Sequence, residues 1–411
     1  MNLCSPPQAS GRPWTPSQGR IIAQWGMRLP PIVRCRPPMA LPRGLASSLD
    51  FAKVKTEDEF LATLSGAEAA GVLPGDVARI WRDFYFSYKE AVLGSGRPEA
   101  TEALVVEVQA SIAERVLVDM ADPYTFPSYH ERVLAPYNYF EFGQRYAGAL
   151  IDFQNSVVGH LERWDGVEAQ IEAGHNVVLL ANHQTEADPA VFAHMLGATH
   201  PRLAQDVIYV AGDRVVTDAM CKPFSMGRNL FCVHSKKHMD DVPELREEKM
   251  ANNRRTLAVM ARKMNAGGLL MWIAPSGGRD RPDDAGAWRP APFDAASVEI
   301  CRKLATRSKA PGHLYPMAML SWGMMPPPKT TSKALGERRI TNYSGVGVSL
   351  CEELELGDTA GQNGSAEGLA GLAEARVVEE YNRLVAAVGD PRARGTMPEC
   401  VQPWLRTAVG V

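Results

Sequence analysis

From about Ala135 onward, short apolar runs alternate with amphipathic helical stretches, and this alternation constrains the fold more than any other feature of the chain. The runs Asn176–Leu180, Val207–Ala211, Leu230–Val233, Leu269–Ile273, Leu314–Leu320 and Val346–Leu350 have strand length. Helical patterns intervene at Phe140–Gln170, Pro189–Leu196, Pro243–Asn265 and Pro292–Ala310. Strands that alternate with helices predict an α/β domain, with a mixed, mostly parallel sheet flanked by helices, over residues 135–405. Before it, Phe51–Ala67, Leu73–Leu93 and Thr101–Met120 carry apolar residues at helical spacing and are separated by turn-rich Gly94–Pro98 and Asp122–Pro127. They predict a small helical bundle over residues 50–130.

Charge divides the chain differently. Met1 to Leu49 contains no Asp or Glu but six Arg and nine Pro. An acid-poor, Arg- and Ser-bearing leader without a compact apolar stretch fits an organellar transit peptide better than a secretory signal. A Pro-rich tail without an address is the alternative. Without those six Arg, 38 basic side chains face 47 acidic ones, so the rest of the chain carries about −9. An acidic body argues against general nucleic-acid binding, which depends on neutralising phosphates. The longest apolar runs, such as Leu269–Ala274, are far shorter than the ~20 residues of a spanning helix, so no transmembrane segment is expected. Five Cys outside the leader show no metal-ligand spacing; buried reduced thiols and no metal site are expected.

Three loops carry candidate chemistry. In Asn182-His183-Gln184-Thr185-Glu186-Ala187-Asp188-Pro189, His183 directly follows a strand and Asp188 begins a helix. Imidazole and carboxylate can meet across one tight loop, the carboxylate fixing the tautomer of a general base. Asp-Pro at a helix start is equally explained as a cap alone. Ser235-Lys236-Lys237-His238 and Pro275-Ser276-Gly277-Gly278-Arg279-Asp280-Arg281 also follow strands. If the strands are parallel, Lys237, His238, Arg279 and Arg281 converge with His183 at their carboxyl ends. Two Arg, a Lys and a His suit a phosphate dianion. Taken alone, Lys236 and Lys237 read as a solvated surface.

The blocks Asn182–Pro189, Val210–His238 and Trp272–Pro282 resemble the soluble glycerol-3-phosphate 1-O-acyltransferases of plant and algal plastids. The middle block, from Val210-Ala211-Gly212-Asp213-Arg214 through Cys221-Lys222-Pro223-Phe224-Ser225-Met226-Gly227-Arg228-Asn229, is the distinctive one. The likeness extends more loosely from Asp50 to Leu405. It implies transfer of a fatty acyl group from acyl carrier protein to the sn-1 hydroxyl of glycerol 3-phosphate in the chloroplast stroma, giving 1-acyl-glycerol 3-phosphate without a cofactor. Acyl-CoA is the alternative donor. By position, His183 and Asp188 match the catalytic pair, and Lys237, His238, Arg279 and Arg281 match the phosphate-binding positions.

The partners implied are acyl carrier protein, glycerol 3-phosphate and, transiently, a membrane surface. An acidic carrier protein calls for a basic docking patch; Arg302, Lys303, Arg307 and Lys309 are candidates that read equally as a solvated helix face. A thioesterase, a non-catalytic lipid or carrier-protein binder and a lysophosphatidate acyltransferase are the competing readings.

Overall fold

A computed structural model describes residues 50–235, 239–327, 338–356 and 365–406. The leader Met1 to Leu49 expected to be a transit peptide lies outside the described residues, as do Lys237 and His238.

Helices α1 (Glu57–Ala69), α2 (Gly75–Gly94) and α3 (Glu102–Ala121) come first. The Thr56 side chain accepts from the Glu59 amide while the Glu59 carboxylate accepts from the Thr56 amide, and three acids in the first turn complement the helix dipole. The Thr101 side chain caps α3 by accepting from the Leu104 amide. Phe60, Leu64, Trp81, Tyr85, Tyr88 and Ile112 are fully buried among these helices.

The α/β part contains β1 (Tyr129–His130), β2 (Val157–Gly159), β3 (Asn176–Ala181), β4 (Ile208–Ala211), β5 (Asn229–Cys232), β6 (Leu270–Ile273), β7 (Gly312–Leu320), β8 (Gly347–Leu350) and β9 (Cys400–Val401). They form one sheet in the order β1-β5-β4-β6-β3-β7-β8-β2-β9. The five neighbours β5, β4, β6, β3 and β7 run parallel, with β3 between β6 and β7. Antiparallel pairings join β1 to β5, β7 to β8 and β2 to β9, whereas β2 and β8 are parallel. The sheet is therefore mixed and mostly parallel. All six residues of β3 are buried, as expected for a strand covered on both faces.

One face packs α1 to α3 together with α4 (Tyr139–Gly148), α5 (Leu161–Glu172) and α6 (Asp188–Leu196) in a single apolar cluster that includes Val177, Leu179 and Ala181 of β3. The other face packs Val178 and Leu180 against α7 (Arg246–Ala266), α8 (Ala295–Arg307) and α9 (Ala366–Gly389). Gly267 ends α7 with φ +80°, and a Cβ there would collide with the Gly174 carbonyl.

One expectation is corrected and one element is added. The helical pattern over Phe140–Gln170 is not one helix: α4 stops at Gly148, and β2 precedes α5. Asp152 explains the break, since its carboxylate accepts from the amides of Gln154 and Asn155 and from Asn155 Nδ2, a local turn that competes with helix. Helix α9 was absent from the strand and helix pattern read above. Its buried face, including Ala370, Ala373 and Ala387, is rich in small residues and gives a weak amphipathic signal.

Cys221, Cys232, Cys301, Cys351 and Cys400 are buried free thiols, as expected. Burial raises Cys232 and Cys301 to about 12 and Cys400 to about 11. No described helix is long and apolar enough to cross a membrane.

Candidate active site

The carboxyl ends of β6, β3 and β7 lie side by side, and the loops that leave them meet. Because side chains alternate along a strand and its extension, Asn182 and Gln184 turn one way and His183 the other. His183 Nδ1 lies 2.7 Å from Asp188 Oδ2. The Asp188 carboxylate is buried and also accepts from Gln184 N at 2.7 Å, Thr185 N at 3.2 Å and Ser321 Oγ at 2.6 Å. As the first residue of α6 it caps none of that helix's amides: it closes the loop on itself, reaches the end of β7 and holds the imidazole. A carboxylate on Nδ1 makes that nitrogen the donor and leaves Nε2 as the ring nitrogen able to take a proton. The His183 side chain is 24% exposed, while Asp188 is 1% exposed, so the imidazole can be reached and its partner cannot. Trp272 of β6 meets the imidazole edge to face, at 5.7 Å between centroids and 82°.

Behind His183 sits Asp280, fully buried. Its carboxylate accepts from Asn182 Nδ2 at 2.9 Å, Gln184 Nε2 at 3.3 Å and Ala291 N at 2.8 Å, and its own N–H donates to the His183 carbonyl at 2.6 Å. Burial pushes its carboxyl up to about 6, against the lowering effect of these donors.

The cationic side is assembled from more distant segments. Arg279 Nη1 lies 3.5 Å from Glu186 Oε1, and Arg339 Nε lies 2.9 Å from Glu186 Oε2. Arg339 also contacts Asp218 at 3.5 Å and Cys221 Sγ at 3.2 Å. Burial would raise the Glu186 carboxyl, but Arg339 and Arg279 beside it, helped by Arg214, hold it at about 2. Placed between two guanidinium groups, this carboxylate keeps two like charges adjacent. Arg279, Arg338 and Arg339 line a small depression with Glu186, Met325, Pro326 and Pro327. Arg281 folds over its own loop, Nη1 donating to the carbonyls of Asp280 at 2.9 Å and Arg279 at 3.3 Å.

Of the residues expected from the sequence, His183 and Asp188 are in contact. Arg279 reaches their loop through Glu186, and Arg281 stands on the loop tied to His183. Glu186, Asp280, Ser321 and Arg339 had no assigned role in the sequence reading. Glu186 lies inside the quoted block, yet an acid among expected cations gives no signal by itself. Arg339 meets it across 153 residues. Among the candidate docking cations, Arg302 and Lys303 share Glu299 on their own helix, at 2.7 and 3.2 Å. Among the described residues, no group of three or more His, Cys, Asp or Glu side chains is arranged to hold a metal ion.

Comparison with known proteins bears on the same residues. Residues 48–124 match the family model "Glycerol-3-phosphate acyltransferase N-terminal", and residues 166–320 match the model "Acyltransferase". The chain is 42% identical over 367 residues to a chloroplastic glycerol-3-phosphate acyltransferase of Cucurbita moschata, covering 87% of this chain and 79% of that one. It is 43% identical over 371 residues to the chloroplastic glycerol-3-phosphate acyltransferase of Arabidopsis thaliana, covering 88% and 81%. For that of Pisum sativum the identity is 40%, covering 87% and 80%. A solved structure, the 1-acyl-sn-glycerophosphate (LPA) acyltransferase of Thermotoga maritima, aligns with a TM-score of 0.38 and 18% identity over 60% of this chain and 78% of that one.

Proposed function

The chain belongs to the chloroplastic glycerol-3-phosphate acyltransferases, and from that premise we propose that His183 performs the family's acyl transfer as a general base. The enzyme acylates glycerol 3-phosphate to 1-acyl-glycerol 3-phosphate in the plastid, the first acylation of glycerolipid synthesis there. Acyl carrier protein is the donor we assign, with acyl-CoA as the substitute, and no cofactor takes part.

The observation that carries the mechanism is the 2.7 Å contact between His183 Nδ1 and the buried Asp188 carboxylate, which leaves Nε2 as the base. Nε2 takes the proton of the sn-1 hydroxyl as its oxygen attacks the thioester carbonyl carbon. The carbonyl electron pair moves to oxygen, giving a tetrahedral oxyanion. This collapses, the C–S bond breaks, and the thiolate leaves with the proton returned by the imidazolium. The Asp188 carboxylate stabilises the charged imidazole. The attacking group is the acceptor itself, so no acyl-enzyme forms.

Arg279 and Arg281, with Lys237 and His238, hold the phosphate in this reading. The anchor fixes the acceptor so that attack is effectively unimolecular, a gain of up to ~7–11 kcal/mol for a well-oriented pair. Glu186 supports it by pinning Arg279.

The test is to incubate the enzyme with palmitoyl carrier protein, with and without glycerol 3-phosphate, beside His183→Ala. Lysophosphatidate that requires the acceptor and is lost in the variant supports the assignment. Free fatty acid in its place would make the protein a hydrolase.

A further inference from the structure

We propose that Asp280 is a positioning residue that fixes the span between His183 and the Arg279–Arg281 anion anchor, and thereby selects which hydroxyl of the acceptor meets the base. The inference rests on the reading of the site just given and extends it to regiochemistry.

Five residues close a hydrogen-bonded ring. The Asp280 carboxylate accepts from Gln184 Nε2 at 3.3 Å, and Gln184 Oε1 accepts from Ser321 N at 2.8 Å. Ser321 Oγ donates to Asp188 Oδ1 at 2.6 Å, and Asp188 Oδ2 meets His183 Nδ1 at 2.7 Å. The His183 carbonyl then accepts from Asp280 N–H at 2.6 Å, completing the ring. Asn182 braces it, donating to Asp280 Oδ2 at 2.9 Å and bonding both backbone groups of Met319. The ring joins the ends of β6, β3 and β7, and four of its five members, Asp188, Gln184, Asp280 and Ser321, are buried.

Asp280 occupies the one place where such a ring can act as a ruler. It is the residue between Arg279 and Arg281, and both residues that flank the base donate to its carboxylate. Displacing it moves the anchor relative to the imidazole. The two hydroxyls of glycerol 3-phosphate differ by one carbon in their distance from phosphorus, ~1.5 Å along the chain. A misplacement of about 1 Å can cost ~10²-fold in rate, so a ring this tightly bonded can separate the two positions. A carboxylate is required because Oδ2 accepts from two amide donors and Oδ1 from the Ala291 N–H. Asn keeps the shape but presents a donor on one side, breaking at least one link.

The decisive experiment compares the full-length wild type, Asp280→Asn and Gln184→Met on two simplified acceptors. Propane-1,3-diol monophosphate carries its hydroxyl at the C1 distance, and ethylene glycol monophosphate carries it one carbon nearer. Inorganic phosphate, as a competitive inhibitor, reports the anchor alone. In Asp280→Asn we expect kcat with glycerol 3-phosphate to fall ~10²-fold. The preference for the longer diol phosphate should narrow about tenfold, with 2-acyl product appearing, while the phosphate Ki stays within about threefold. Gln184→Met removes both ring links that this side chain makes, to the Asp280 carboxylate and from the Ser321 N–H, while the Asp280 bonds to Asn182, Ala291 and the His183 carbonyl stay; it should give a change of the same pattern and decides the matter if Asp280→Asn does not fold. An unchanged acceptor preference, or a phosphate Ki that worsens in step with kcat, overturns the inference. A wild type that acylates neither diol phosphate overturns the reading of the site beneath it.

Discussion

The His183–Asp188 pair and the Glu186–Arg279–Arg339 cluster share a loop but are built in opposite ways. The pair is encoded within six residues: a strand end, a tight turn and a helix start bring imidazole and carboxylate together, and the backbone amides of Gln184 and Thr185 do most of the remaining work. The cluster takes its members from the loops after β3, β4 and β6 and from the segment before β8. The proposed base and its carboxylate are placed locally, and the charge cluster is a product of topology. The pair needs little beyond its own loop to make its contact, with Ser321 at the end of β7 adding one donor. A distributed cluster depends on every segment that contributes to it.

The sharpest way to separate the two is His183→Ala. It should reduce kcat by ~10²–10⁴-fold, the usual share of general-base assistance, with KM for glycerol 3-phosphate within a few-fold of wild type. Arg279→Ala should do the reverse. Loss of one charge-assisted contact, ~1.5–3 kcal/mol, predicts a rise in KM of ~10- to 100-fold with kcat little changed, read from initial rates across acceptor concentrations.

The two carboxylates beside these groups, Asp280 buried and Glu186 largely so, should respond to acid with opposite signs. Glu186 is held at about 2, below its ordinary 4.5, so its contribution to stability is complete above about pH 4.5 and is lost as pH falls through 2. Asp280 is raised to about 6 from 3.8, so the folded state takes up its proton first and this contribution grows as pH falls from 6 to 4. Thermal melts of wild type, Glu186→Gln and Asp280→Asn between pH 3 and 7 should show the first variant flatter in the lower range and the second flatter in the upper. Identical slopes would remove the electrostatic contrast between the two regions. The smallest expected effect is that of Ser321→Ala, which takes one donor from Asp188. About 1 kcal/mol, or roughly fivefold in kcat, should be lost without a change in KM.

How far the sequence discloses each region follows from the same contrast. The parallel centre of the sheet is legible because strands buried on both faces read as unbroken apolar runs, as Asn176–Leu180 and Leu269–Ile273 do. The His183 loop is legible because strand, His and Asp-Pro are contiguous. Strand β2 is hidden by its length of three residues and by the Asp152 turn, whose hydrogen bonds leave no periodic trace. Helix α9 is hidden by its alanines. Arg339 is illegible as a site residue because its meaning depends on a partner in another loop. Asp280 is overlooked for a different reason: between two arginines an acid reads as charge balance, and only its burial shows that it faces inward, away from solvent.

The five thiols of the folded body add a consequence for how the enzyme is governed. At pH 8 a thiol near 11 or 12 is present as thiolate at only ~10⁻³ or less, and burial adds a steric barrier to any oxidant or disulfide. Mild oxidation or alkylation of the native protein should leave these positions untouched. The thiol balance of the compartment then has no ready handle on the folded enzyme through Cys221, Cys232, Cys301, Cys351 or Cys400.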